Sequence, residues 1–119
     1  MDLNNLILKK KVLLMKIKEI NEEQILFDNG FKIEYDHNQD CCEENYADFK
    51  QIEPMALNYE FDEHLIFEKV DDYGFRFGNE YGLLFFIPCY SDQNGYYSSD
   101  IDIYYNNIKV LNLECELLL

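Results

Sequence analysis

The sequence predicts an α+β domain, in which a largely antiparallel β-sheet of six or seven short strands is joined by about one short helix. Apolar and polar residues alternate with a period of two in most segments, which is typical of half-buried strands. Turn sequences such as Asn-Gly separate these segments, and helical spacing is clearest near residues 44–52. The length of 119 residues favours a single domain, which we assign to residues 1–119.

The first apolar segment, residues 12–20, fits two structures. Met15 and Ile17 alternate with Lys16 and Lys18, as in a half-buried strand. Apolar residues between positions 3 and 17 also fit a helical stripe, although Lys10 interrupts it. We favour a strand over residues 12–20.

A β-hairpin is the strongest local prediction. Asn-Gly at positions 29–30 lies between the alternating runs 25–28 and 31–35, and both residues tolerate the positive φ of a tight turn. In the second strand, His37 would share a face with Ile33 and Tyr35, in line with the core-facing side chains.

The remaining segments predict one helix and several strands. Tyr46, Phe49 and Ile52 recur every three residues, which predicts a helix over 44–52 that ends at Glu53-Pro54. Residues 65–70 and 75–77 predict strands separated by a turn at 71–74. The continuous apolar run 83–87 predicts a central strand buried on both faces. Residues 100–103 alternate as in a further strand, and residues 111–117 predict one final amphipathic strand.

The charge of the chain excludes some functions. Twenty-four acidic residues against ten basic ones give a formal net charge of −14. Nucleic-acid binding depends on Lys and Arg that neutralise phosphates, so we expect no nucleic-acid partner. The charge is uneven: residues 1–20 carry +3 and the remainder −17, and ten acidic residues fall between Glu34 and Glu63. A highly acidic surface is either a solvated face or a surface for a basic partner.

The chain carries no recognisable targeting signal. The lysine run at 9–11 precedes only four apolar residues, which differs from a secretory signal, and no apolar stretch has the length of a membrane span. We therefore expect a cytoplasmic protein with no membrane partner. In that compartment the four cysteines are expected to be free thiols.

The densest polar cluster is the segment 37–43, whose candidate binding residues are His37, Gln39, Asp40, Cys41, Cys42 and Glu43. A zinc site is one hypothesis, but Cys41 and Cys42 are adjacent rather than two to four residues apart. A Cys–His nucleophilic pair or a redox switch is also open, although neither a third member nor Cys-x-x-Cys is present. The structural alternative is a strand-to-helix corner in which Asp40 caps backbone N–H groups. We assign no catalytic residue, metal or cofactor.

A second polar cluster, residues 91–99, contributes Asn94, Tyr96 and Tyr97 as candidate binding residues. It lacks the glycine and glutamate positions of a calcium loop, and Asn94-Gly95 predicts a tight turn. Exposed Tyr beside a turn is a frequent anchor for protein binding.

With these two clusters, His-x-Gln-Asp-Cys-Cys-Glu at 37–43 and Asn-Gly-Tyr-Tyr-Ser at 94–98, the sequence resembles a family of small uncharacterised proteins from bacteria and their phages. The similarity spans about residues 11–105. It departs from the family pattern at Gln93, in the absence of Trp and in the Leu-rich tail from Leu111. The resemblance implies a cytosolic protein encoded by a phage or mobile element, and brings no established activity.

Composition and resemblance together favour a small acidic interaction module that binds and inhibits a basic partner, such as a nuclease or effector. Phage-encoded inhibitors and immunity-type proteins are of this kind. The alternative is a metal-binding or catalytic site built on the segment from His37 to Glu43. Whether the chain is an enzyme stays open, and we favour a non-enzymatic role.

Overall fold

The structure is a computed structural model that describes residues 13–36, 44–93, 95 and 97–118. Strands dominate this part of the chain. Within those residues there are twelve strands and one helical segment. The strands are β1 (Leu14–Met15), β2 (Ile17–Ile20), β3 (Gln24–Phe27), β4 (Lys32–Asp36), β5 (Glu44–Ala47), β6 (Phe61–Asp62), β7 (Ile66–Val70), β8 (Gly74–Gly78), β9 (Leu84–Asp92), β10 (Asp100–Tyr105), β11 (Ile108–Glu114) and β12 (Glu116–Leu118). The helical segment is a 3₁₀-helix, Phe49–Ile52, followed by α1, Glu53–Ala56.

Two larger sheets and one strand pair organise these elements. The first sheet has the order β11-β10-β4-β3-β2, and all of its neighbours are antiparallel. The second sheet has the order β12-β9-β8-β7, and β5 also pairs with β9. Its pairs are antiparallel except β12 with β9, which is parallel. Strands β1 and β6 form a separate two-stranded pair. The mainly antiparallel α+β character is therefore confirmed, with more strands than predicted.

The core joins side chains from all three sheets. Ile25, Ile33 and Ile103 of the first sheet are fully buried in the same cluster as Phe77 and Ile87 of the second. Aromatic rings connect the layers. Phe61 of β6 lies 5.5 Å from Phe27 of the first sheet and 5.7 Å from Phe77 of the second, measured between ring centroids. These ring contacts fix how the sheets pack on one another.

The predicted hairpin is confirmed, and the first sheet holds a second one. β3 and β4 pair with Ile25 opposite Ile33. Of the two turn residues only Gly30 has a positive φ, +91°, and the Gly30 N–H donates to the Phe27 carbonyl. The β10–β11 hairpin turns through Asn106 and Asn107, which both have positive φ (49° and 69°), as a two-residue type I′ turn requires.

The helix predicted over 44–52 is misplaced. Residues 44–47 form β5, which pairs with β9, because burial alternates along it: Glu44 is exposed, Asn45 and Ala47 are buried. The three-residue spacing therefore belongs to a strand that runs into a 3₁₀-helix. Glu53-Pro54 begins α1 rather than ending a helix, because Pro is tolerated in the first turn, where its missing N–H has no intrahelical partner.

Three predicted strands also differ from the structure. The strand predicted over 12–20 divides at Lys16, whose N–H donates to the Asp28 carboxylate, so β1 pairs with β6 and β2 with β3; residue 12 is outside the described residues. The run 83–87 is not buried on both faces: Leu83 and Phe86 are exposed, because an antiparallel sheet buries one face. The final strand divides at Cys115 into β11 and β12, which belong to different sheets.

Candidate functional site

Three chain connections cross between the two larger sheets at one end of the molecule. Residues 37–43 connect β4 to β5, residues 93–99 connect β9 to β10, and Cys115 alone connects β11 to β12. We define the acidic end as six carboxylate residues. Five are at strand ends that border these connections (Asp36, Glu44, Asp92, Asp100 and Glu114), and the sixth, Asp102, is the third residue of β10. The described residues of the second polar cluster, 91–93, 95 and 97–99, therefore lie at this end.

The strand registers place carboxylates of the acidic end directly opposite each other. Asp36 of β4 is paired with Asp102 of β10. Glu44 of β5 is paired with Asp92 of β9. The third such pair is Asp100 with Glu114 in the β10–β11 hairpin. Like charges directly opposite on neighbouring strands are destabilising, so we expect these three pairs to cost stability.

Short polar contacts offset part of this repulsion. The Asn112 amide donates to the carboxylates of Asp100 and Asp102, at 2.9 Å each. The Lys109 ammonium lies 3.7 Å from the Asp102 carboxylate. The Ser99 hydroxyl donates to Glu114 at 2.5 Å. These groups hold the carboxylates in place, but only Lys109 brings a positive charge.

A buried network of polar side chains lies next to the acidic end. Asn45, Ser91 and Gln93 are the buried polar residues of the described chain. The Ser91 hydroxyl donates to the Asn45 side-chain oxygen (2.5 Å), and the Gln93 amide donates to the Ser91 hydroxyl (2.6 Å). The Asn45 amide donates to the Ser98 carbonyl (3.0 Å), and the Tyr97 N–H donates to the Gln93 side-chain oxygen (2.7 Å). The network links β5 and β9 to the backbone of Tyr97 and Ser98.

The predicted site residues are placed unequally. Tyr97 is half-buried, with its backbone held by Gln93. Asn94 and Tyr96 lie outside the described residues. So do His37, Gln39, Asp40, Cys41, Cys42 and Glu43, together with the predictions made for them. Glu44, which follows the first cluster in the sequence, is paired with Asp92 of the second.

Sequence reasoning missed two parts of this site. It passed over Asn45, although a polar residue at an inward position of a strand next to Ala47 signals a buried hydrogen-bond network. It also identified where the acidic residues lie along the chain but did not predict which of them pair, because the register of β10 with β4 depends on contacts between residues far apart in sequence. The Asn106-Asn107 turn is a local signal for the pairing of Tyr105 with Ile108, but an irregularity between Ile103 and Tyr104 shifts the register before Asp100 pairs with Glu114.

The two described thiols do not provide a reactive group. Cys89 and Cys115 are free, as expected, and buried. Burial is the main cause that raises the pKa of both, and for Cys115 the carboxylates of Glu114 and Asp100 add to it, giving a pKa of about 12. A thiol with so high a pKa carries almost no thiolate at neutral pH. Among residues 13–36, 44–93, 95 and 97–118, no group of three or more His, Cys, Asp or Glu is arranged to hold a metal ion.

Fold and site define a small, mainly antiparallel β-protein with paired carboxylates at one end. The chain belongs to the family described as the domain of unknown function DUF7448, whose profile matches residues 4–103. That agrees with the expected uncharacterised family. No curated protein and no solved structure matches the chain. Within the described residues, no helix has the length and apolar character to cross a membrane.

Proposed function

We propose that the protein is an interaction module that binds a basic protein partner through its acidic end. The observation that carries the proposal is the set of three opposed carboxylate pairs, Asp36–Asp102, Glu44–Asp92 and Asp100–Glu114. A surface kept acidic only for solubility gains nothing from placing carboxylates opposite one another. A cationic partner relieves the repulsion on binding, so the energy stored in the pairs adds to affinity.

The partner class follows from the same chemistry. A protein that binds phosphate groups presents clustered Lys and Arg, and an array of carboxylates held at fixed positions complements that surface. We therefore infer a basic nuclease or effector as the partner and blockage of its phosphate-binding surface as the effect. A cytoplasmic inhibitor or immunity-type protein, encoded by a phage or mobile element, is the biological role that this chemistry suits.

The network under the acidic end supports this role. Asn45 and Gln93 donate to the backbone carbonyls of Ser98 and Asp100, so the backbone that carries the Asp100 carboxylate is held in place before a partner arrives. A surface that is already ordered loses less conformational entropy on binding.

The test uses a defined probe and two variants of equal charge. The probe is a synthetic peptide with several Arg residues, and its control has citrulline, which is neutral and of the same shape, in their place. The acidic-end triple variant, Asp36→Asn with Asp92→Asn and Glu114→Gln, removes one carboxylate from each pair. The control triple variant, Glu19→Gln with Glu60→Gln and Glu80→Gln, removes three exposed carboxylates elsewhere.

Isothermal titration should show binding of the Arg peptide that weakens steeply with salt, and no binding of the citrulline peptide. The acidic-end triple variant should lose much more affinity than the control triple variant. Equal losses in the two variants would show attraction to net charge alone and would refute the proposal. Basic proteins encoded beside the gene are then the natural partners to co-express and co-purify.

A further inference from the structure

A second feature of the acidic end is a pocket in the seam between the two larger sheets. It has a volume of about 310 Å³, and we call it the seam pocket. Tyr35 of β4 lines it from the first sheet and Tyr46 of β5 from the second. Glu44, the first residue of β5, also lines it.

Two tyrosines line the seam pocket, and the ring of each packs against another aromatic ring. The Tyr35 ring packs against Phe49 at a centroid distance of 5.7 Å, and Phe49 is fully buried. The Tyr46 ring packs against Tyr90 at 5.8 Å. Packing of this kind restricts the orientation of a ring, and aromatic faces are the groups that protein sites use to receive organic cations.

The charge of the lining has the sign that a cation needs. Glu22, Glu44 and Asp48 line the pocket, against one cationic residue, Lys50. The negative field acts on the rings as well. Burial first, and then the Glu44 carboxylate, raise the pKa of both Tyr35 and Tyr46, so both phenols stay neutral.

We infer that the seam pocket receives the guanidinium group of an arginine side chain from the basic partner. A guanidinium group stacks on aromatic faces and forms forked hydrogen bonds with carboxylates, and this pocket offers both. An ammonium group is more strongly hydrated and lacks the planar face, so arginine fits better than lysine. The inference rests on the proposed function, because it names the anchor point for the same partner.

The binding experiment uses N-acetyl-arginine methylamide as the probe and its citrulline counterpart as the neutral control. Backbone amide shifts in ¹H–¹⁵N NMR spectra should change with the arginine probe at residues 22, 35 and 44–50, and should not change with the citrulline probe. Shift changes confined to other regions, or equal changes with both probes, would overturn the inference.

Variants separate the aromatic contribution from the others. Tyr46→Leu should weaken binding of the arginine probe by roughly 2- to 30-fold, whereas Tyr46→Phe, which keeps the ring, should bind almost as the parent does. Lys50→Gln should strengthen binding, since it removes the cation that competes in the pocket. Tyr81→Leu is the matched control, because Tyr81 is 95% exposed and does not line the seam pocket. Unchanged affinity in Tyr46→Leu would refute the inference.

The two proposals fail separately. None of Asp36, Asp92 and Glu114, the residues changed in the acidic-end triple variant, lines the seam pocket. If the Arg peptide responds to that variant but not to Tyr46→Leu, the seam pocket is not the anchor and the proposed function stands. If only Tyr46→Leu weakens the Arg peptide, the pocket binds arginine and the opposed carboxylates are not the partner surface.

Discussion

The opposed carboxylates predict a protein that becomes more stable when part of its acidic end is neutralised. The perturbation is the acidic-end triple variant, Asp36→Asn with Asp92→Asn and Glu114→Gln, which leaves one carboxylate in each pair. Asn and Gln keep the size of the side chain and can still accept hydrogen bonds, so the Ser99 hydroxyl keeps an acceptor at position 114. The substitution therefore changes the charge and little else.

The magnitude follows from the number of pairs and from their existing partners. A like-charge pair directly opposite on neighbouring strands costs roughly 0.2–1 kcal/mol, so relief of three pairs has an upper limit of about 3 kcal/mol. The Asn112 amide and the Lys109 ammonium already offset part of the repulsion at Asp100 and Asp102. We therefore expect the free energy of unfolding to rise by about 1 kcal/mol at low ionic strength.

Urea denaturation followed by far-ultraviolet circular dichroism measures this change. The midpoint of the acidic-end triple variant should rise by roughly 0.3–1 M over the parent. The gain should shrink as salt is added, because salt screens exposed charges. The control triple variant, Glu19→Gln with Glu60→Gln and Glu80→Gln, has the same net charge and should gain much less. An equal gain in the control, or a loss in the acidic-end variant, would refute the claim that these pairs store repulsion.

Three further predictions concern the buried polar groups. Asn45→Asp should lose stability relative to the parent as the pH rises from 5 to 8, because the new carboxylate would face the Ser98 carbonyl and becomes charged in that range. A ΔΔG from urea melts that is independent of pH would contradict this. Alkylation followed by peptide mapping at pH 8 should leave Cys89 and Cys115 unmodified until denaturant is added, and native-state labelling of either would show that burial does not protect it. Burial and then the Glu63 carboxylate raise the pKa of Tyr105 in the folded protein. The neutral phenol therefore contributes its full stability below pH 10, and this contribution is lost as the pH rises above 10. Tyr105→Phe should lose less stability than the parent in melts above pH 10, and parallel losses would contradict the assignment.

Local patterns in the sequence predicted the parts of the fold that depend on neighbouring residues. The hairpin at 29–30 is correct because one flexible residue, Gly30, is enough to reverse the chain between two strands. The β7–β8 turn at 71–73 is correct for the same local reason, as Asp71 and Gly74 both take positive φ. Alternation also predicted the mainly antiparallel β character.

Long-range pairing decided what the sequence could not predict. Residues 44–47 have a spacing that suits a helix, but pairing with β9 satisfies their backbone and buries Asn45 and Ala47, so they form a strand. Likewise, no local sequence pattern predicts that Cys115 separates two strands that belong to different sheets. The sequence showed that the chain is acidic, but it could not show that β5 and β9 pair Glu44 with Asp92.

The acidic end bears on a question that composition leaves open, namely whether the charge of −14 is a solvated surface or, as we propose, a binding surface. Solvated charge favours separation, since each carboxylate is then surrounded by water and repels its neighbours least. Here strand pairing instead places carboxylate residues opposite one another at three positions. The Asn112 amide nitrogen lies 2.9 Å from the carboxylates of both Asp100 and Asp102. A network of buried hydrogen bonds keeps the adjoining connection in place. If the fold holds carboxylates close together, their mutual repulsion persists in the free protein. A positively charged partner would relieve that repulsion on binding, which is why we propose that this end is a binding surface.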